Sequence, residues 1–153
     1  MAKFKFSLEK ILKIREFEEE QAKIELGKAI AETERLKQNL KNIAQQRVKY
    51  SREIGNSLDL AYLSSIENYI KGLDVQKENF LEQLAQAELV VEEKQKLMTE
   101  AMQRRKALDK LKEKQFNQFK YEQELAEENI LDDMNGNRAT NEARAANVSR
   151  AKK

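Results

Sequence analysis

LEKILKIREFEEEQAKIELGKAIAETERLKQNLKNIAQQRVKYSREI, residues 8–54, carries a ladder of alternating four- and three-residue steps with no rung missing. The rungs are Leu8, Leu12, Arg15, Glu19, Ala22, Leu26, Ala29, Thr33, Leu36, Leu40, Ile43, Arg47, Tyr50 and Ile54. Only Arg15, Glu19, Thr33 and Arg47 among them are polar. A helix turns every ~3.6 residues, so a repeat averaging ~3.5 keeps one narrow stripe against a partner helix, the coiled-coil condition.

A break and a second ladder follow. Gly55, Asn56 and Ser57 make a turn cluster. Ser57 is the expected cap of the next helix, as Ser7 is of the first. An apolar piece, Leu58 to Ile70, leads into rungs at Ile70, Leu73, Lys77, Phe80, Leu84, Ala87, Val91, Lys94, Met98, Ala101, Arg105 and Leu108. Leu111 arrives one residue early and Phe116 and Phe119 fit a shifted stripe, which predicts a local change in winding. Two stripes joined by a short break predict an all-α fold, a long antiparallel two-helix coiled-coil hairpin. Its arms cover about 7–54 and 58–134, with the turn near 55–57 and the second arm longer. Residues 1–134 then form the hairpin domain. Asn135-Gly136-Asn137 opens a tail, 135–153, poor in large apolar residues and expected to be disordered.

Composition agrees with a thin seam. The chain has no proline, which would interrupt long helices, and 37% of its residues are charged. So charged a chain cannot fill a thick globular core, whereas two paired helices need only a narrow one. No stretch approaches the ~20 apolar residues of a membrane span, so no direct membrane insertion is expected. Lys3, Lys5, Glu9 and Lys10 break up any signal-peptide run, and the expected location is cytoplasmic.

Catalytic material is scarce. Without histidine or cysteine there is no conventional triad, thiol nucleophile or histidine-dependent metal site. No phosphate-binding glycine loop appears, so an enzyme is not expected, nor any cofactor or metal. Leu131 to Glu142 imitates a calcium loop at Asp133, Asn135, Gly136 and Glu142. Leu131 cannot act as its first ligand, however, and Arg138 stands where an apolar residue belongs. A net charge of +2 does not imply nucleic acid, and no stacking platform accompanies the basic block at Arg104, Arg105, Lys106, Lys110, Lys112 and Lys114. An acidic block follows at Glu122, Glu124, Glu127, Glu128, Asp132 and Asp133. Aromatic residues gather early (Phe4, Phe6, Phe17), late (Phe116, Phe119, Tyr121) and around the turn (Tyr50, Tyr62, Tyr69). They either plug the seam or anchor partners.

The stretch Phe4-Lys5-Phe6-Ser7-Leu8-Glu9-Lys10-Ile11-Leu12-Lys13-Ile14-Arg15 resembles the opening of the flagellar export proteins of the FliJ family. Arg104 to Gln115, extended by Glu128 to Asp133, resembles the family's later signature. The resemblance implies a non-catalytic component of the flagellar type III export apparatus, similar to the two-helix stalk of rotary ATPases. It implies binding to the hexameric export ATPase, promotion of its assembly and activity, and a link to the cytoplasmic domain of the transmembrane export gate. Substrate-specific export chaperones are further implied partners, and the implied location is peripheral, at the cytoplasmic face of the inner membrane. ATPase contacts are expected at Phe4, Leu8, Leu12, Arg15, Arg104, Arg105, Lys110 and Lys112. Positions matching the family's gate contacts are Ile43, Tyr50, Tyr69 and Leu73, whereas Gln46 and Gln76 depart from its chemistry there. Residues alone also allow a cytoplasmic structural coiled-coil scaffold that self-associates.

Overall fold

The computed structural model describes residues 2–151. They form two helices, α1 (Glu9–Ile54) and α2 (Leu60–Ala151), of 46 and 92 residues, with no strand among the described residues. Packing divides the chain into two compact units: one of Met1–Leu12 with Lys106–Lys153, the other of Lys13–Arg105.

Within Lys13–Arg105 the helices run antiparallel. Glu19 meets Arg105, Arg47 meets Asp74, Tyr50 meets Tyr69, and Glu53 meets Tyr62. Partner numbers on α2 fall as those on α1 rise, the signature of a hairpin. Leu36, Ile43, Ile66, Leu73 and Ala101 form the buried apolar seam. Two polar residues are buried with them. Thr33 satisfies its hydroxyl by donating to the Ile30 carbonyl at 2.7 Å, and Glu19 is held by cations. No buried side-chain polar atom among the described residues lacks a partner.

The ladders foresee this burial closely. Every α1 rung from Leu12 to Ile54 is buried or half-buried except Arg47, and every α2 rung from Ile70 to Leu108 except Lys77. Arg47 instead lies on the surface, paired with Asp74 at 2.8 Å.

The helix ends differ from the expected capping. The first turn of α1 is closed by backbone, not by the Ser7 hydroxyl: Glu9 N–H donates to the Phe6 carbonyl at 3.2 Å and Leu12 N–H to that of Leu8 at 2.8 Å. The cap of α2 is Asp59 rather than Ser57. Its carboxylate accepts from Ala61 N–H at 3.0 Å, while its carbonyl accepts the first helical bond from Leu63 at 2.9 Å. A carboxylate beside the free N–H groups of a helix start also complements the helix dipole. Ser57 supports that cap one step earlier, accepting from Asp59 N–H at 3.3 Å. Leu58 is fully exposed in the loop, and the apolar piece that follows forms the first turns of α2, anchored by buried Ile66.

In the other unit the chain start lies on α2. Phe6 and Leu12 are buried there, and Glu9 pairs with Lys112 at 2.9 Å. Instead of changing winding after Leu108, α2 continues unbroken. Its half-buried positions Leu108, Lys112, Gln115 and Phe119 keep the original spacing, with Leu111 beside the stripe. Polar Lys112 and Gln115 occupy rungs that hydrophobicity alone does not reveal. The backbone is also helical through Gly136 to Ala151, although every described side chain from Glu124 to Val148 is exposed. Local hydrogen bonds alone support that stretch, among them the Thr140 hydroxyl donating to the Gly136 carbonyl at 2.9 Å. Lys152 and Lys153, the end of the expected tail, lie outside the described residues.

Candidate functional site

At the chain start, Phe4 is half-buried, held between two aromatic rings of α2. Its centroid lies 5.4 Å from that of Phe116, edge-on at 69°, and 5.6 Å from that of Phe119, tilted at 48°. Aromatic quadrupoles favour such edge-on contacts over face-to-face stacking. Two shallow clefts flank the ring. One of about 450 Å³ is lined by Phe4, Lys5, Phe6, Glu9 and Lys112. The other, of about 390 Å³, is lined by Phe4, Asp109, Lys112, Glu113 and Phe116. Leu8 is half-buried, Leu12 is buried, and Lys110 is exposed with no ion pair among the described residues. Of the expected ATPase-contact residues in this unit, Phe4, Lys110 and Lys112 therefore present surface, whereas Leu12 is consumed by packing.

In the longer unit the expected contact residues separate by environment. Arg104 is exposed, with no ion pair among the described residues. Arg15 pairs along its own helix with Glu18 at 3.0 Å. Arg105 grips Glu19 through two guanidinium nitrogens, and Lys23 approaches the same carboxylate at 3.5 Å. The Arg105 hydrogen bonds hold the Glu19 carboxyl below its ordinary range, overcoming the opposing effect of burial.

Near the loop, the four positions matched to gate contacts are brought together. Tyr50 and Tyr69 pack edge-on, centroids 4.7 Å apart, and the Tyr69 hydroxyl donates to the Gln46 side-chain oxygen at 3.1 Å. Ile43 and Leu73 are buried in the seam beneath them. The Tyr62 hydroxyl donates to Glu53 at 2.7 Å, and that bond to a carboxylate pushes its pKa up. A groove of about 600 Å³, lined by Leu40, Ala44, Val48, Leu81 and the cations Arg52 and Lys77, also opens here. The ladder reading missed it. Ala44 and Val48, one helical turn apart beside the rungs, were its only sequence signal.

The described residues contain no cluster of three or more acidic, histidine or cysteine side chains fit to hold a metal ion. The calcium-like segment is continuous helix rather than a loop, so its carboxylates fan around the helix surface. No described helix is long and apolar enough to cross a membrane.

The family model described as flagellar FliJ protein matches residues 4–144, nearly the whole chain. The chain belongs to the FliJ family. No individual curated protein and no solved structure gives a match. Membership makes the chain a component of flagellar protein export, in a family whose role there is non-catalytic. The stretches that carry the likeness also meet in space. Phe4 and Glu9 from the opening contact Phe116, Phe119 and Lys112 in or beside the later one.

Proposed function

We propose that this FliJ-family chain binds the hexameric export ATPase as a stalk and promotes its assembly and activity. It links that ATPase to the cytoplasmic domain of the transmembrane export gate and to substrate-specific chaperones, working at the cytoplasmic face of the inner membrane. Support comes from the chain start: an aromatic cluster fixed on a helix, flanked by clefts, with Lys110 exposed and unpaired on the same helix. Phe4, Leu8, Leu12 and Lys112 shape this surface; of the expected contacts in the other unit, Arg104 is an exposed cation, while Arg15 and Arg105 are paired with Glu18 and Glu19. Tyr50 and Tyr69 offer the gate-contact surface, with Ile43 and Leu73 setting the positions of the rings from below. Residues 1–134 act as the hairpin domain.

A stalk alters a ring only if it binds the ring's conformations unequally, because equal binding shifts no population. Fixed aromatic edges and unpaired cations suit that demand, since neither needs reordering on contact. The test is ATP hydrolysis by the purified export ATPase at rising concentrations of this chain. Stimulation is expected, and Arg104→Glu with Lys110→Glu raises the half-maximal concentration by about tenfold. Neither stimulation nor association, under conditions where the ATPase assembles, overturns the proposal.

A further inference from the structure

We propose that α2 beyond Phe119 is a docking site for a basic amphipathic helix of a partner protein, which continues the coiled coil where the chain's own first segment ends. The half-buried positions Leu108, Lys112, Gln115 and Phe119 lie on the face that meets the chain start. Steps of four, three, four and four, which keep to the same face of a straight helix, reach Gln123, Ala126, Ile130 and Met134. The stripe therefore persists after its cover has gone. Ile130 is 58% and Met134 62% exposed, and neighbouring Leu131 is exposed to 59%. Apolar side chains on one face of a helix without a partner are what a second helix covers.

Charge selects that helix. Glu122, Glu127 and Asp133 border the stripe, Glu124, Glu128 and Asp132 lie around the rest of the helix, and no lysine or arginine occurs between Lys120 and Arg138. None of these carboxylates takes part in an ion pair among the described residues. In paired helices, residues flanking the seam choose partners by opposite charge. A second copy would set the bordering Glu122, Glu127 and Asp133 against their own counterparts, so self-association here is opposed by repulsion. Lysine- or arginine-flanked helices fit both the stripe and its border.

The full chain is titrated with a synthetic peptide of about three heptads, leucine at the seam positions and lysine at the flanks. A peptide of equal composition in scrambled order is the control, and calorimetry is the readout. The patterned peptide is expected to bind, more weakly as salt rises. Ile130→Glu with Met134→Glu is expected to weaken it by about tenfold, while Leu58→Glu in the exposed loop leaves it unchanged. Both substituted positions are exposed, so helix content should not change, and circular dichroism checks this. Absence of binding, equal binding of the scrambled peptide, or undiminished binding by the double variant overturns the proposal. So does light scattering that shows a dimer of the full chain abolished by the same two substitutions.

Discussion

Leu36→Ala is expected to remove about 2–4 kcal/mol of unfolding free energy, measured by urea denaturation followed by helical circular dichroism. Leu36 is 1% exposed and is the largest side chain buried so completely. It lies between rungs Thr33 and Leu40, in a seam whose apolar core contains few side chains. Domains are stable by only ~5–15 kcal/mol, so one such truncation consumes much of the margin. Water reaches a two-helix seam more readily than a globular core, which keeps the loss from the top of the range for truncated leucines. Leu58→Ala is the matched control: the same deletion at a fully exposed residue should change nothing measurable. Equal effects at both positions would mean that the stripe is not the core.

Arg105→Ala should cost about 1–3 kcal/mol by leaving Glu19, 5% exposed, without its main cation. Lys23 at 3.5 Å compensates in part, and the seam's nearness to water lowers the penalty below that of a deep interior pair. Replacing both partners, Glu19→Leu with Arg105→Leu, should recover most of the loss, because the polar rung is then a hydrophobic one. The pair also makes stability pH-dependent. Its folded-state pKa is depressed, so the contribution is complete above the ordinary carboxyl value of 4.5 and is lost as pH falls through the lower folded value. Denaturation of the native chain and Glu19→Gln should therefore differ most near neutrality and converge below about pH 4.5. A gap independent of pH would show that Glu19 contributes by packing alone.

Rungs such as Leu12, Leu36, Ile43, Leu73 and Ala101 were legible because burial follows helical period, and period survives in sequence. What a polar rung does was not. Glu19 and Arg47 look equivalent in the ladder, yet one is buried against Arg105 and the other lies on the surface with Asp74. Periodicity records the face a residue occupies, not the partner that the opposing helix brings to it. The α2 cap was misplaced by two residues because Ser57 and Asp59 are both good caps, and the choice depends on the path of the loop. At the candidate site, the aromatic groups could be read as an early, a late and a turn cluster, and the early Phe4 does meet Phe116 and Phe119. Family likeness marked Leu12, Ile43 and Leu73 as well, but likeness cannot separate a residue that builds a surface from one that touches a partner. Their burial makes them builders.

Antiparallel pairing of α1 with α2 inside one molecule underlies both the Tyr50–Tyr69 contact and the Glu19–Arg105 pair. The chain contains no cysteine, so Arg47→Cys with Asp74→Cys introduces the only thiols, at a surface ion pair of small energetic value. Treatment with a short bis-maleimide at low protein concentration should give a cross-linked monomer, identified by one linked peptide pair in mass spectrometry. Cross-links found only between chains, or none while the helices remain folded, would contradict the hairpin.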